Sequence, residues 1–313
     1  MRGLLDRRLI FVTGKGGVGK STVATALGLL ASRHGLRTIV AELAGQRHSQ
    51  QAFQQEGAPF QEVELAPGLF TISIDPQHAM EEYLRVKTGA VGHMLASSKL
   101  FSAFTMATPG MRELLSIGKI WELAQLQRRT RGAAPYDLVI VDAPATGHGV
   151  GILKTPRTFA DIARVGPIAH QGRAIAQTIA DRSFTALVAV TTAEEMPVNE
   201  TLAMREAVDR EGLALQSVVL NAVYPRRFSP DDAQHLRSLL PDVVSPAARA
   251  ALRAAVSEHA RVRIQEQQRE RLRAGLQTEL VELPYVFAAE LGPEHLGLLA
   301  DALAGAIDGH APS

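Results

Sequence analysis

Near its amino terminus the chain carries the segment Gly14-Lys15-Gly16-Gly17-Val18-Gly19-Lys20-Ser21-Thr22. This segment satisfies the pattern G-x-x-x-x-G-K-[ST], with an apolar run, Leu9–Thr13, before it and a helical pattern, Ser21–His34, after it. Glycines allow backbone N–H groups to turn inward at a helix N-terminus, where they form a nest for phosphate oxygens. The sequence therefore predicts a phosphate-binding loop (P-loop) between a strand and a helix.

Three side chains have specific predicted roles at this loop. Lys20 is expected to reach the β- and γ-phosphates of a nucleotide, and the Ser21 hydroxyl is expected to ligate Mg²⁺. Asp142 ends the apolar run Leu138–Asp142, where a Walker B carboxylate would hold Mg²⁺ through water. A nucleotide and Mg²⁺ are thus the expected ligands, and the family resemblance described below implies that the nucleotide is ATP. The predicted nucleotide contacts of the loop are Gly14, Gly16, Gly17, Val18, Gly19, Lys20, Ser21 and Thr22.

Working outward from the loop, the rest of the chain alternates apolar runs with helical patterns. The runs that predict strands are Leu9–Thr13, Thr38–Leu43, Leu69–Ile74, Leu138–Asp142, Ala186–Thr191, Ser217–Asn221 and Glu279–Leu283. They are continuous, as in parallel strands that are covered on both faces. Helical patterns such as Ser21–His34 and Glu200–Glu211 lie between most of them. We therefore expect an α/β fold with a doubly wound, mostly parallel sheet and helices on both faces.

Two helix-like segments exceed a minimal fold of this kind. We expect a helical insertion at about 76–131 and a helical elaboration at about 229–275, both within one domain spanning 1–313. The second segment contains RVRIQEQQRERLR, in which Glu and Gln are interleaved with Arg and no aromatic residue occurs. This composition favours a solvated helix face over a nucleic-acid patch.

Composition excludes several functional classes. The 313 residues include 33 Lys and Arg against 32 Asp and Glu, a net charge of +1, and no cysteine. Without cysteine there is no disulfide framework, Cys-ligated zinc, iron–sulfur cluster or thiolate nucleophile. The balanced charge argues against a nucleic-acid partner. No secretory signal and no membrane-spanning run is present, so we expect a cytoplasmic protein without direct membrane insertion.

Lys15 adds information because an ordinary P-loop does not require a lysine directly after its first glycine. GKGGVGKST resembles the deviant Walker A loop of the ATPase class that includes MinD, ParA, the nitrogenase iron protein and the arsenite pump. In that class the lysine reaches across a subunit interface to the partner's nucleotide. The resemblance implies a dimer of this chain with itself or with a paralogous subunit, in which Lys15 supplies charge in trans like an arginine finger. An idle, solvated Lys15 is the alternative.

A second motif narrows the resemblance. The segment Ala143–His148, APATGH, resembles the switch loop of the ArsA-type ATPases, the arsenite-pump and tail-anchored protein-targeting family. The segments Pro109–Leu114 and Thr191–Thr201 resemble further stretches of that family. The chain is thus identified as a cysteine-free, bacterial-type member, with the match running from Leu9 to about Leu291. His148 is expected either to contact phosphate or to brace the switch, with a satisfied loop histidine as the alternative.

The same resemblance implies two base contacts. Asn221 ends a strand where the family keeps an adenine-reading asparagine, whose amide both donates and accepts hydrogen bonds. Pro284 lies in a Leu-Pro-Tyr segment that is similar to the loop flanking the base. Both residues are therefore expected to contact the nucleotide.

One departure from the family concerns the loop after the second strand. The family commonly has Asp-Pro-Ala-His there, but this chain has VAELAGQRHS from Val40 to Ser49. Glu42 is the nearest carboxylate and is predicted to orient or activate the attacking water. With Lys15, Lys20 and Asp142 it forms the predicted set of catalytic residues. A purely structural strand-end glutamate is the alternative.

The insertion suggests what the ATPase acts on. It holds a concentration of methionine and aromatic residues: Met80, Met94, Met106, Met111, Phe101, Phe104 and Trp121. These side chains either line a groove for an apolar or membrane-protein client or pack the insertion against the sheet. The predicted function is a dimeric, Mg²⁺-dependent ATPase that handles a membrane-related partner. The alternatives are a MinD/ParA-like positioning ATPase and a non-hydrolysing, nucleotide-dependent interaction protein.

Overall fold

A computed structural model shows an eight-stranded sheet at the centre of the protein. It describes residues 3–43, 46–85, 108, 110–130, 132–163 and 167–308, without the side chains of 146–150, 162–163, 167–168 and 308. The strands are β1 (Leu9–Gly14), β2 (Thr38–Leu43), β3 (Val63–Ala66), β4 (Leu69–Ile74), β5 (Leu138–Asp142), β6 (Thr185–Thr192), β7 (Leu215–Val223) and β8 (Glu279–Pro284). Their order across the sheet is β3-β4-β2-β5-β1-β6-β7-β8, and every neighbouring pair is parallel except β3 with β4. The predicted α/β class is confirmed.

All seven predicted strands are present, but the short edge strand β3 was not predicted. It has four residues and pairs antiparallel with β4 through a tight turn at Gly68, whose φ is 77°. Its sequence, Val-Glu-Leu-Ala, is too short to show a clear strand period, so its pairing with β4 decides its structure.

Helices cover both faces of the sheet. They are α1 (Lys20–Arg33), α2 (His48–Ala52), α3 (76–85), α4 (Met111–Leu123), α5 (Thr146–Ala163), α6 (Pro167–Ala180), α7 (Glu195–Arg210), α8 (Pro230–Leu239), α9 (Pro246–Gly275) and α10 (Pro293–Asp308). The helix predicted from Glu200 begins five residues earlier, at Glu195. The carboxylate of Glu195 lies in the first turn, where it interacts favourably with the positive end of the helix dipole. In the described part of the chain, no helix has the length and apolar character needed to cross a membrane.

Two apolar layers form the core, one on each face of the sheet. Leu9 and Phe11 of β1 face the layer that includes side chains of α4 and α6. Ile10 and Val12 face the opposite layer, which includes α1 and α10. Because both faces are covered, β1 is buried along its whole length. This packing fixes the carboxyl end of β1, from which the P-loop leaves the sheet.

A buried ionic network ties the loop after α4 to the edge of the sheet. Arg128, whose side chain is 1% exposed, pairs through Nη2 with Glu62 at 2.5 Å and through Nε with Glu122 at 3.0 Å. Glu122 also accepts a hydrogen bond from Nζ of Lys119 at 3.0 Å. Burial opposes the ionisation of Glu122, but Lys119 and the Arg129 backbone N–H outweigh it and lower its pKa.

Removal of Glu122 should be strongly destabilising. The Glu122→Ala variant leaves Lys119 and Arg128 without the carboxylate that they share, so we expect the free energy of unfolding to fall by about 3–5 kcal/mol. Urea denaturation measures this change. The matched control is Glu113→Ala in the first turn of α4, with an expected effect below about 1 kcal/mol. A similar small effect for Glu122→Ala would contradict a structural role for the network.

Candidate functional site

The P-loop has a backbone that only glycine tolerates at two positions. Gly14 and Gly19 have φ angles of 147° and 89°, in the region that L side chains rarely adopt. A Cβ at Gly14 would overlap the carbonyl group of Val190 in β6, and one at Gly19 would overlap the side-chain amide of Asn221. The loop is therefore packed closely against the ends of β6 and β7, and its glycines leave the backbone N–H groups open to a phosphate.

Lys20 opens α1 and lies against the loop. Its Nζ donates a hydrogen bond to the carbonyl oxygen of Lys15 at 2.9 Å. Burial lowers the pKa of Lys20, and the negative charge of Asp142 opposes that effect. The ammonium group is thus held at the P-loop, within the electrostatic field of the carboxylate on β5.

Ser21 and Asp142 form the polar floor of the site. The Ser21 hydroxyl donates to Oδ2 of Asp142 at 2.5 Å. Asp142 is 1% exposed, and its Oδ1 is buried without a hydrogen-bond partner among the described residues. Burial raises the pKa of Asp142, while Ser21 and Lys20 counteract it. A hydroxyl beside a carboxylate with an unsatisfied oxygen is a donor set that suits Mg²⁺.

A cleft of about 880 Å³ opens over these residues. From the P-loop and α1 it is lined by Gly16, Gly17, Gly19, Lys20, Ser21, Thr22 and Thr25, and from other elements by Gln46, His48, Gln51, Ala52, Ala143, Pro144, Ala145, Glu290, Leu291 and Leu296. Its walls thus join the P-loop to the segment around α2, the loop after β5 and the segment before α10. The size and polar floor suit a nucleotide-sized ligand.

Glu42 lies behind this cleft. It is fully buried, and its Oε1 accepts hydrogen bonds from the backbone N–H of Ser49 at 2.9 Å and from the Ser49 hydroxyl at 3.3 Å. Oε2 accepts a longer hydrogen bond, 3.4 Å, from the Thr71 hydroxyl. The Ser49 hydroxyl lies 2.8 Å from that of Thr25, which lines the cleft. Burial and, to a smaller extent, Asp142 raise the pKa of Glu42.

Lys15 is paired with another element of the same chain. Its Nζ lies 2.8 Å from a carboxylate oxygen of Glu200 on α7, and both side chains are partly exposed. Sequence reasoning placed Glu200 in a family-like segment but gave it no role. The pairing arises because β6, which precedes α7, is the direct neighbour of β1.

The two predicted base contacts occupy different positions relative to the loop. Asn221 donates through Nδ2 to the carbonyl oxygen of Val18 at 2.9 Å, so it braces the P-loop backbone. Pro284 is an exposed residue at the end of β8. Among the described residues that line the cleft, the segment after β8 is represented by Glu290 and Leu291. His148 lies among the side chains outside the described part of the structure.

Sequence reasoning missed several residues of the cleft. Gln46 and His48 lie in the same segment as Glu42. Because this segment departs from the family pattern, that departure could have indicated that its residues reach the cleft. Glu290 had no signal, because an isolated acidic residue in a loop is common on protein surfaces. In the described part of the chain no group of three His, Cys, Asp or Glu side chains could hold a metal ion.

Together, the fold and the site define a P-loop nucleotide-hydrolysing protein. A parallel strand leads through a glycine loop into a helix, and a carboxylate from the neighbouring strand meets the first hydroxyl of that helix. A family model described as anion-transporting ATPase matches residues 7–165. The chain belongs to this family, the ArsA-type ATPases, and is therefore an ATPase that binds a nucleotide.

Individual relatives agree with this assignment. The chain is 33% identical over 233 residues to the ATPase BagA of Mycobacterium tuberculosis, a match that covers 72% of this chain and 68% of BagA. It is 26% identical over 246 residues to an arsenical pump-driving ATPase of Escherichia coli, with 72% of this chain and 41% of that protein covered. The matched region is thus less than half of the pump-driving relative.

Proposed function

We propose that this ATPase works as a Mg²⁺-dependent dimer, formed with a second copy or with a paralogous subunit, in which each P-loop receives Lys15 from the partner. The observation that carries the proposal is the position of Lys15: its ammonium group pairs with Glu200 on α7, whereas the ammonium group of Lys20 donates to the backbone of the loop. Because this ion pair is partly exposed, it contributes little stability. Lys15 can therefore leave the carboxylate of Glu200 and bind a phosphate of the nucleotide in the neighbouring protomer.

Nucleotide phosphates would bind at the backbone of the P-loop and at Lys20. Gly16, Gly17 and Gly19 line the cleft there, so their N–H groups are close to where phosphate oxygens would lie. Ser21 and Asp142 would hold Mg²⁺, with Asp142 Oδ1 as the oxygen that lacks a partner in the described residues. The chemistry that bound Mg²⁺ supplies is neutralisation of the charge that develops on the phosphates. We further propose that the whole of 1–313 forms one ATPase domain.

We propose that Glu42 positions neighbouring residues of the cleft and does not itself contact the attacking water. Its carboxylate is fully buried and binds Ser49, whose hydroxyl contacts Thr25 in the cleft. We therefore assign Glu42 as a positioning residue, which holds the start of α2 and the neighbouring His48 at the cleft wall. A water-activating residue of this ATPase would have to reach the cleft itself.

The Glu42→Gln variant distinguishes these two roles. Glutamine keeps an acceptor for the Ser49 N–H, so we expect kcat to fall less than about tenfold, without a change in the pH dependence. A general base would instead cost about 10²–10⁴-fold and remove the acidic limb of the pH–rate profile. Phosphate release measured from pH 5 to pH 9 gives both readouts. Thr71→Val is the matched control: it removes the long hydrogen bond to Oε2, together with the bond of the same hydroxyl to the carbonyl oxygen of Val40, and leaves both contacts of Glu42 with Ser49 in place.

A membrane-related partner is the finer part of the proposal. The E. coli relative is by name a pump-driving ATPase, but this chain has no cysteine for soft metalloid chemistry. In the insertion Met80 is buried, and Trp121 packs with its Nε1 donating to Thr178 at 3.1 Å. These two residues therefore support packing within the protomer. Met94, Met106, Phe101 and Phe104 lie outside the described residues.

The partner is tested by affinity capture from cytosol and from detergent-solubilised membranes. We expect a membrane-derived protein to be captured with a non-hydrolysable ATP analogue and released with ADP. Capture of DNA, or direct binding to lipid vesicles, would favour a positioning ATPase of the MinD/ParA type. Phosphate release no faster than the blank, with ATP binding retained, would favour the non-hydrolysing alternative.

A further inference from the structure

A second cavity lies in the helical region and shares no lining residue with the nucleotide cleft. Its volume is about 100 Å³, and its walls come from α3, α4, α6 and the loop after α4. Its apolar walls include Tyr83, Leu114, Leu115 and Ile175, and its polar lining is formed by Glu82, Lys119, Glu122, Arg129 and Gln171. A cavity of this size holds a small apolar group rather than a peptide.

The sequence of α4 explains why the cavity is apolar. Ile117, Ile120 and Leu123 are buried and form the face that packs into the core beside the sheet. Leu114 and Leu115 lie on a second face, together with Met111 and Gly118, and line the cavity. A helix that needed only to cover the sheet would carry polar residues on that second face. The second face of α4 is apolar because it packs against the neighbouring helices α5 and α6, and the cavity lies within this packing, between α4 and α6.

The charged groups at this cavity leave one cation without a carboxylate. Lys119 pairs with Glu82 and with Glu122, and Arg128 takes up the other oxygen of Glu122. The Arg129 guanidinium instead lies 5.8 Å from the ring centres of Tyr83 and Trp121. In the described part of the chain its side chain contacts no carboxylate. Among the described residues, its guanidinium is therefore the cationic group of this lining that no carboxylate pairs with.

We propose that this cavity binds a small organic monocarboxylate, with its short apolar chain between α4 and α6 and its carboxylate paired with Arg129. A guanidinium binds a carboxylate through two parallel hydrogen bonds, which combine charge with orientation. The apolar walls favour a ligand with a short hydrocarbon chain over an inorganic oxyanion, which would place no apolar surface against them. The inference does not rest on the proposed dimer.

Pentanoate is the probe, and saturation-transfer NMR on the full chain without nucleotide is the measurement. We expect binding in the millimolar range, as for a ligand with few atoms. Arg129→Gln should weaken it about tenfold or more, whereas Arg112→Gln, which removes an exposed arginine of α4, should leave it unchanged.

A second variant, which fills the cavity with a side chain, provides a test if Arg129→Gln impairs folding. The nearest atom to a Cβ at Gly118 is 4.0 Å away, so Gly118→Leu should enter the cavity and abolish pentanoate binding while the far-ultraviolet circular dichroism is retained. Pentanol, with the same chain and no charge, should bind more weakly than pentanoate to the wild type. No pentanoate binding by the wild type, or equal affinity for pentanol that Arg129→Gln does not alter, would overturn the inference.

Discussion

Replacement of Lys20 by alanine is expected to lower the rate of ATP hydrolysis about 10³-fold, because a preorganised cation at the transferred phosphate is lost. Lys20 is the lysine that lies against its own P-loop, through a 2.9 Å hydrogen bond to the carbonyl oxygen of Lys15. Burial lowers the pKa of Lys20, and the negative charge of Asp142 opposes that effect and favours the charged form. Phosphate release at saturating ATP and Mg²⁺ measures the effect.

The matched control for Lys20→Ala is Lys154→Ala. Lys154 lies on α5 and pairs with Glu211, away from the residues that line the nucleotide cleft. This control should retain the wild-type rate within about twofold, because surface ion pairs contribute little. A Lys20→Ala variant that hydrolyses ATP within tenfold of the wild type would contradict the assignment of the P-loop.

Replacement of Lys15 by alanine should produce the second large effect. We expect hydrolysis to fall about 10²–10³-fold and the ATP-dependent dimer to be lost, because the partner's phosphate would lack the charge supplied in trans. ATP binding to the protomer should remain, since Lys20, Ser21 and Asp142 are unchanged. Light scattering coupled to size-exclusion chromatography, with a non-hydrolysable ATP analogue, measures the dimer.

Glu200→Gln separates the role of Lys15 from that of its ion pair. This variant removes the charge of the present partner of Lys15 but keeps the lysine, so the ATP-dependent dimer should persist. A loss of dimer in Glu200→Gln equal to that in Lys15→Ala would show that the intrachain ion pair, and not the trans contact, is what matters. Equal dimerisation of Lys15→Ala and the wild type would likewise contradict the proposal.

The residues that sequence reasoning placed correctly in the fold are those with local signals. The P-loop follows from glycine spacing between a strand and a helix, and Asp142 follows from its position at the end of an apolar run. Parallel pairing of β1 with β5 then brings Ser21 and Asp142 into contact. These steps need only the periodicity of the chain and the rule that strand ends meet at one edge of the sheet.

The remaining features depend on contacts between distant segments. Lys15 and Glu200 are far apart in sequence, and their ion pair exists because β6 lies beside β1. Glu290 reaches the cleft because the segment before α10 passes close to α1. The burial of Glu42 depends on Ser49 and Thr71, which sit on two other elements. No periodicity in a single sequence reports such contacts.

The most direct test of the trans lysine is a mixing experiment with Lys15→Ala and Lys20→Ala protomers, each inactive alone. In a mixed dimer one site combines an intact Lys20 of one protomer with Lys15 of the other. With random pairing at equal concentrations half of the dimers are mixed and one of their two sites is complete, so phosphate release should rise well above that of either variant, to a ceiling of about a quarter of the wild-type rate. If Lys15 acted within its own protomer, every site in the mixture would lack one lysine. The rate would then stay at that of the separate variants, which would contradict the account.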